Sequence, residues 1–153
     1  MNLNEKREVL HIQLSENRDN LIKFLEMLLY SYNKCNKIGL NKEYDIEELE
    51  SFEALTSRFA RTADILTQKV YRTMLALLQE HPKTFIDMAC FLEKLEIIES
   101  SESLLELREL RNQIAHEYKQ ADITRLFAEV MCYVPILDTC IQKVNQYIYS
   151  MKV

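Results

Sequence analysis

Residues 45–82 read DIEELESFEALTSRFARTADILTQKVYRTMLALLQEHP. Phe52, Leu55, Phe59, Leu66, Val70, Met74 and Leu77 recur at steps of three, four and seven. That repeat lines one face of a helix with apolar side chains. Asp45 opens the stretch with Glu48 three residues on, the spacing of a capping box, in which each side chain bonds the other's backbone N–H. His81-Pro82 closes it, because a residue before proline disfavours helix. The spacing predicts one helix from Asp45 to the His81-Pro82 break. Its charge changes along the way. Residues 41–53 carry six acids against one lysine, whereas residues 54–79 carry Arg58, Arg61, Lys69 and Arg72 against Asp64 alone. The basic half is the surface of this chain best suited to phosphate, although a run of charges is most simply a solvated helix face.

The rest of the chain repeats the pattern. Leu10, Leu14, Leu21, Phe24, Leu25, Leu28 and Tyr32 form one stripe and predict a first helix over residues 4–37. Gly39, the single glycine, follows where a left-handed cap is wanted. A third helix fits 84–97, with Phe85, Met88, Ala89, Leu92 and Leu95 inward. Ser103 and Glu106 repeat the capping-box spacing and predict a fourth helix over 103–118. Gln120-Ala121-Asp122 is the next break, with Asp122 as N-cap. A last helix fits 123–150 on Leu126, Phe127, Val130, Leu137, Ile141, Val144 and Ile148, with Pro135 expected to kink it. One glycine and two prolines in 153 residues leave little room for hairpins or Gly-rich phosphate loops. The expectation is an all-α, antiparallel bundle of about five helices, a single domain over residues 1–153.

Composition narrows the function. The net charge of −5 argues against a protein that coats nucleic acid generally, but not against a local basic cleft. No apolar run approaches the ~18 residues of a membrane span, and the charged N-terminus does not read as a signal peptide. Cys35, Cys90, Cys132 and Cys140 are widely spaced, without a Cys-x-x-Cys pair. Reduced cysteines and a cytoplasmic protein, with no membrane partner, are expected.

Residues 111–118, RNQIAHEY, hold one of only three histidines. Residues of a helix advance about 100° each. Asn112 and His116 would share one flank, and Arg111 and Tyr118, seven apart, would nearly eclipse. Arg111 and His116 would diverge by about 140°. A second copy of the helix facing the first would let them converge. The residue types suit RNA cleavage. Histidine moves protons near neutral pH, and arginine presents a charged planar fork to phosphate. Asn112 could hold the imidazole or bond the phosphate. No Asp, Glu or His cluster with metal-ligand spacing accompanies them, so a metal-independent route with no cofactor is expected. Taken alone, a histidine on an amphipathic helix is more often a surface residue than a catalyst.

Arg111, Asn112, His116 and Tyr118 together resemble the signature of the HEPN superfamily: Arg with a polar residue directly after it, then His four to six residues on. The His-x-Tyr extension, and the preceding LLELRELRNQIAHEY, resemble HepT, the toxin of bacterial HEPN/MNT toxin–antitoxin pairs. The likeness covers about residues 100–120, and elsewhere rests on size and motif position. It implies an endoribonuclease toxin that forms a homodimer, so that two motifs line one RNA cleft. Arg111 would stabilise the phosphate, His116 act as general acid or base, and Asn112 be the polar partner. Tyr118 matches the tyrosine that the cognate MNT nucleotidyltransferase antitoxin modifies with AMP (AMPylation), which would neutralise the toxin. Arg58 and Arg61 are the candidate RNA contacts on the basic half-helix. The alternative within the same likeness is a non-catalytic nucleotide-binding or partner protein of the nucleotidyltransferase.

Overall fold

The computed structural model describes residues 1–116 and 123–151. Its first helix, α1, spans Leu3–Ile38 and is closed at both ends by local chemistry. The Glu5 N–H donates to Asn2 Oδ1 at 2.8 Å, and the Asn2 N–H donates to Glu5 Oε2 at 3.1 Å. At the other end Gly39 takes φ +81°, a conformation that a side chain would strain. Its N–H reaches the Cys35 carbonyl at 2.9 Å.

Asp45 caps the second helix as its spacing predicts, with the reciprocal bonds to Glu48 at 2.8 and 3.0 Å. The stretch 45–82 is nonetheless not one uniform helix. It runs as α2 (Ile46–Asp64), a π-helical segment (Ile65–Val70) and α3 (Tyr71–Leu77), in one unbroken rod. The reason lies in the spacing of its buried residues. Phe59, Ala63, Thr67, Tyr71 and Leu75 are buried, each four residues after the last, and so are Thr62, Leu66, Val70 and Met74. A step of four overshoots a 3.6-residue turn by about 40°. Repeated, it would carry the buried face around the helix. A π turn, bonded from residue i to i+5, takes up the surplus. The Tyr71 N–H accordingly bonds the Leu66 carbonyl, five residues back.

The rod ends at Leu77, before the predicted His81-Pro82 stop. Gln79 adopts φ +62°. The Glu80 N–H bonds the Leu75 carbonyl at 2.8 Å and the Gln79 N–H bonds the Ala76 carbonyl at 3.0 Å, the paired bonds of a Schellman cap. α4 (Phe85–Lys94) stops in the same way, short of residue 97. Glu96 takes φ +60°, and the Ile97 N–H bonds the Leu92 carbonyl at 3.0 Å. α5 spans Ser101–Ala115 and α6 spans Ile123–Met151, continuing through Pro135. Ser100, not Ser103, caps α5, its hydroxyl accepting from the Ser103 N–H at 3.2 Å. The predicted break at residues 120–122, with Asp122 as cap, lies outside the described residues.

Side-chain pairs fix the helix directions. Between α1 and the α2–α3 rod, Cys35 meets Ser51, Ser31 meets Arg58, Phe24 meets Thr62, Asn17 meets Thr73 and Arg7 meets Leu77. One number rises as the other falls, so the two are antiparallel. α6 is antiparallel to α1 as well. Arg18 lies over the Tyr149 ring, and Tyr32 shares a groove with Cys132 at the opposite end. The Tyr133 hydroxyl donates to the Glu106 carboxylate, and Ser103 lines a groove with Thr139, so α5 opposes α6. The described residues thus form an all-α antiparallel bundle of five rods.

Leu21, Leu28, Phe52, Phe59, Leu66, Met74, Leu137 and Ile141 are fully buried in its centre, each contributing about 1.5–3 kcal/mol. Phe52 stacks on Phe127 with ring centroids 4.7 Å apart, and Tyr44 packs 4.9 Å from Phe52. This trio pins the start of α6 to the start of α2. The first turns of α1 run past the bundle: residues 1–9 are exposed, and Arg7 Nη1 holds the Leu77 carbonyl at 3.2 Å. No helix among the described residues is long and apolar enough to cross a membrane.

Gln79 and Glu96 occupy conformations that favour glycine. Gln79→Gly and Glu96→Gly should each raise stability by about 0.5–1 kcal/mol, the relief of left-handed strain exceeding the added chain entropy. Urea melts of the two single variants would measure it, and a loss of stability would contradict the cap assignment.

Candidate functional site

The site forms where the second half of α5 crosses the end of α2. Leu104, Leu107 and Leu110 are buried and seat α5 on the bundle. Arg111 follows Leu107 by one turn and so leaves the helix on the same side, toward α2. There its Nε–H donates to Asp64 Oδ1 at 2.6 Å and its Nη2–H to Asp64 Oδ2 at 2.7 Å. This is the bidentate match of a planar fork to a carboxylate. The bond to Asp64 pushes the guanidinium's pKa further up, against a smaller opposing effect of burial. The Arg111 and Asp64 side chains keep 28% and 40% of their exposure, which places the pair at the rim rather than in the core.

Asp64 is the last residue of α2, and the π segment begins at the next position. π turns inside α-helices recur at functional sites. Here the turn sits directly opposite the motif. Between them lies a cleft of about 510 Å³, lined by Asp64, Gln68 and Lys69 from the rod and by Arg108, Arg111 and Asn112 from α5. Three cations therefore share the cleft with one carboxylate. Arg108 also lies over the Phe85 ring, 4.4 Å from its centroid, an arrangement that restrains its charged head.

His116 is placed differently from the sequence expectation. α5 stops at Ala115 rather than running to residue 118. The His116 N–H still bonds the Asn112 carbonyl at 3.1 Å, with φ −83°, but ψ is 136°. The backbone thus follows the helix up to His116, whose own ψ is extended. The eclipsing of Arg111 by Tyr118 rested on a helix running to residue 118; α5 ends at Ala115, and Tyr118 itself lies outside the described residues. His116 is exposed and does not line the cleft. One chain therefore brings Arg111 and Asn112 into the cleft and leaves His116 at its edge of the helix.

Arg58 and Arg61, the expected RNA contacts, turn toward α1. Arg58 Nη1 donates to the Met27 carbonyl at 3.1 Å and to Ser31 Oγ at 2.8 Å. Arg61 lies over the Phe24 ring, 5.6 Å from its centroid. Lys69 and Arg108 hold the positions in the cleft instead. Asp64 is the site residue that stripe and motif reasoning pass over. Its one signal in the sequence is that it is the lone acid among the basic residues of 54–79.

Among the described residues no three His, Cys, Asp or Glu side chains are grouped as metal ligands would be. All four cysteines are free, and burial pushes the Cys35 thiol up to about 11. No protein-family model, curated protein or solved structure matches this chain. The functional reading therefore rests on the residues and their geometry.

A double-mutant cycle over Asp64→Ala and Arg111→Ala should give a coupling of about 1 kcal/mol, the upper range for a half-exposed ion pair with ideal geometry. Urea midpoints of the two single variants and the double variant would measure it. Strictly additive losses would mean that the pair does not persist in solution.

Proposed function

We propose that this chain is a HepT-like, metal-independent endoribonuclease toxin, with a cytoplasmic site completed by two copies of the chain. The observation that carries this reading is the cleft itself. Arg111 enters it with one edge of its guanidinium held by Asp64, beside Asn112, Lys69 and Arg108. That is a phosphate-binding arrangement beside a motif whose histidine is solvent-accessible.

In the proposed reaction a neutral His116 takes the proton of an RNA 2′-hydroxyl. The oxygen so freed bonds the adjacent phosphorus, and the bond from phosphorus to the 5′-oxygen breaks. A protonated His116 from the second copy gives its proton to the departing oxygen, leaving a 2′,3′-cyclic phosphate and a 5′-hydroxyl. Arg111 offsets the negative charge that grows on the phosphoryl oxygens, and Asn112 orients either the imidazole or the phosphate. The need for a second copy is supported by His116 lying outside the cleft that its own chain forms.

Regulation in this reading acts at Tyr118. A partner nucleotidyltransferase would join the tyrosine oxygen to the α-phosphorus of ATP and release pyrophosphate. The added phosphodiester would carry negative charge two residues from His116 in the sequence and repel RNA. The rival reading, a non-catalytic nucleotide-binding partner of the transferase, draws on the same exposed position of His116.

His116→Ala and Arg111→Ala should each reduce RNA cleavage by at least 100-fold while circular dichroism stays unchanged. Full cleavage by purified His116→Ala protein would overturn the catalytic assignment, and absence of cleavage by the wild type would favour the binding-partner reading. Tyr118→Phe should stay toxic in the presence of the transferase and gain no AMP mass with ATP.

The RNA path also has a salt signature. Lys69→Ala should lower the slope of log affinity against log salt by about 0.7 for a single-stranded RNA oligonucleotide. Arg61→Ala, facing α1, should leave the slope unchanged. The opposite ranking would return the RNA to the α1 side of the rod.

A further inference from the structure

The Arg111–Asp64 pair has two possible meanings for a phosphate site. An acid beside the phosphate-binding arginine either masks its charge or aims it. The geometry separates the two. A guanidinium offers five N–H groups on three nitrogens. Asp64 engages Nε and Nη2, which form one edge of the fork. The Nη1 amino group is not part of that pair, and neither is the second N–H of Nη2. Asp64 lines the same cleft as Arg111, but its two oxygens take only the Nε–Nη2 edge and leave the Nη1 edge outside the pair.

The backbone supports the same role. Asp64 sits within a continuous rod whose neighbouring positions Ala63, Leu66 and Thr67 are buried, which holds its backbone in place. Leu107 and Leu110 fix α5 equally well on the other side of the cleft. The long arginine side chain is the one mobile component between two fixed supports. A two-point bond at 2.6 and 2.7 Å removes that freedom before substrate arrives. Pre-orientation matters because misplacing a reacting group by about 1 Å costs on the order of 100-fold in rate.

We propose that Asp64 is a positioning residue of the phosphate site, holding the Nε–Nη2 edge of Arg111 so that its remaining N–H groups meet the scissile phosphate. The proposal rests on the endoribonuclease reading and deepens it. Asp64 touches neither RNA nor the reacting atoms. Its charge works slightly against RNA binding, and its contribution is to the rate.

That opposition gives a test with a signature that mere structural support would not produce. Asp64→Ala should lower kcat for a single-stranded RNA oligonucleotide by 10- to 100-fold while KM stays constant or falls, because one negative charge leaves the cleft. Asp64→Asn keeps one acceptor for Arg111 and should recover part of the lost kcat. Should Asp64→Ala unfold the protein, the Asn variant carries the test alone, with a smaller kcat loss and the same constant or lower KM. An unchanged or increased kcat in a folded variant would overturn positioning, with a lower KM pointing to masking; a raised KM at constant kcat would overturn it too, as a loss of ground-state binding alone.

A second measurement does not depend on cleavage. In 15N-labelled protein the Arg111 Nε–H resonance should be sharp and slowly exchanging, should broaden in Asp64→Asn, and should shift on titration with inorganic phosphate in the wild type. Phosphate shifts seen only after Asp64 is replaced would mean masking and overturn the proposal. If wild-type protein cuts no RNA yet shows this pattern, the endoribonuclease reading fails while the aiming of Arg111 stands.

Discussion

Buried residues four apart, sustained from Phe59 to Leu75, are the constraint on which the rest of the structure depends. An α-helix cannot keep such a series facing one way, because each step overshoots by about 40°. The chain keeps the core face aligned by widening the helix over Ile65–Val70. Packing therefore dictates an irregularity, and the irregularity falls where a polar site is needed. Asp64 stands at its first edge, with Gln68 and Lys69 inside it facing the cleft. Hydrophobic burial and the placement of charge are here two results of one spacing.

The site follows from that arrangement in a short chain of causes. Leu107 and Leu110 seat α5 against the rod, which turns Arg111 toward Asp64. Their pairing aligns one charged fork, and the neighbouring cations leave the cleft positive within a chain of net charge −5. An acidic surface with one basic recess concentrates polyanion binding at that recess. His116 stands apart because α5 ends just ahead of it.

Much of the fold is legible in the sequence, and the limits of that reading are physical. The stripes of α1 and α6 and the Asp45–Glu48 box are local signals, and the helices follow them. The π segment is not local in that sense. The buried threonines in it and just before it, Thr67 and Thr62, look polar in a list of residues. They are buried because their hydroxyls bond carbonyls four residues back at 2.7 and 2.9 Å. The ends of α3 and α4 were also hidden, because Gln79 and Glu96 take the left-handed turn that glycine usually supplies. In the site, Arg111, Asn112 and His116 are visible through their mutual spacing. Asp64 is 47 residues from Arg111, and only packing brings them together. Arg58 and Arg61 read as free charges until α1 is placed beside them. Their contacts with Ser31 and Phe24 then make them part of the helix–helix seam.

The overhang of α1 has a consequence for how the molecule opens. Residues 1–9 are exposed, and the Arg7 side chain ties them to the Leu77 carbonyl. Backbone amides there are protected by helix bonds with almost no burial behind them. Amides around Leu21 and Leu28 are backed by the centre of the core. A single continuous helix therefore spans a steep gradient of local unfolding free energy. Its front turns would exchange their hydrogens by fraying while its middle waits for the whole bundle to open. The N-terminal end of α1 can thus melt and re-form without disturbing the Asp64–Arg111 pair, which is attached to the rod below it.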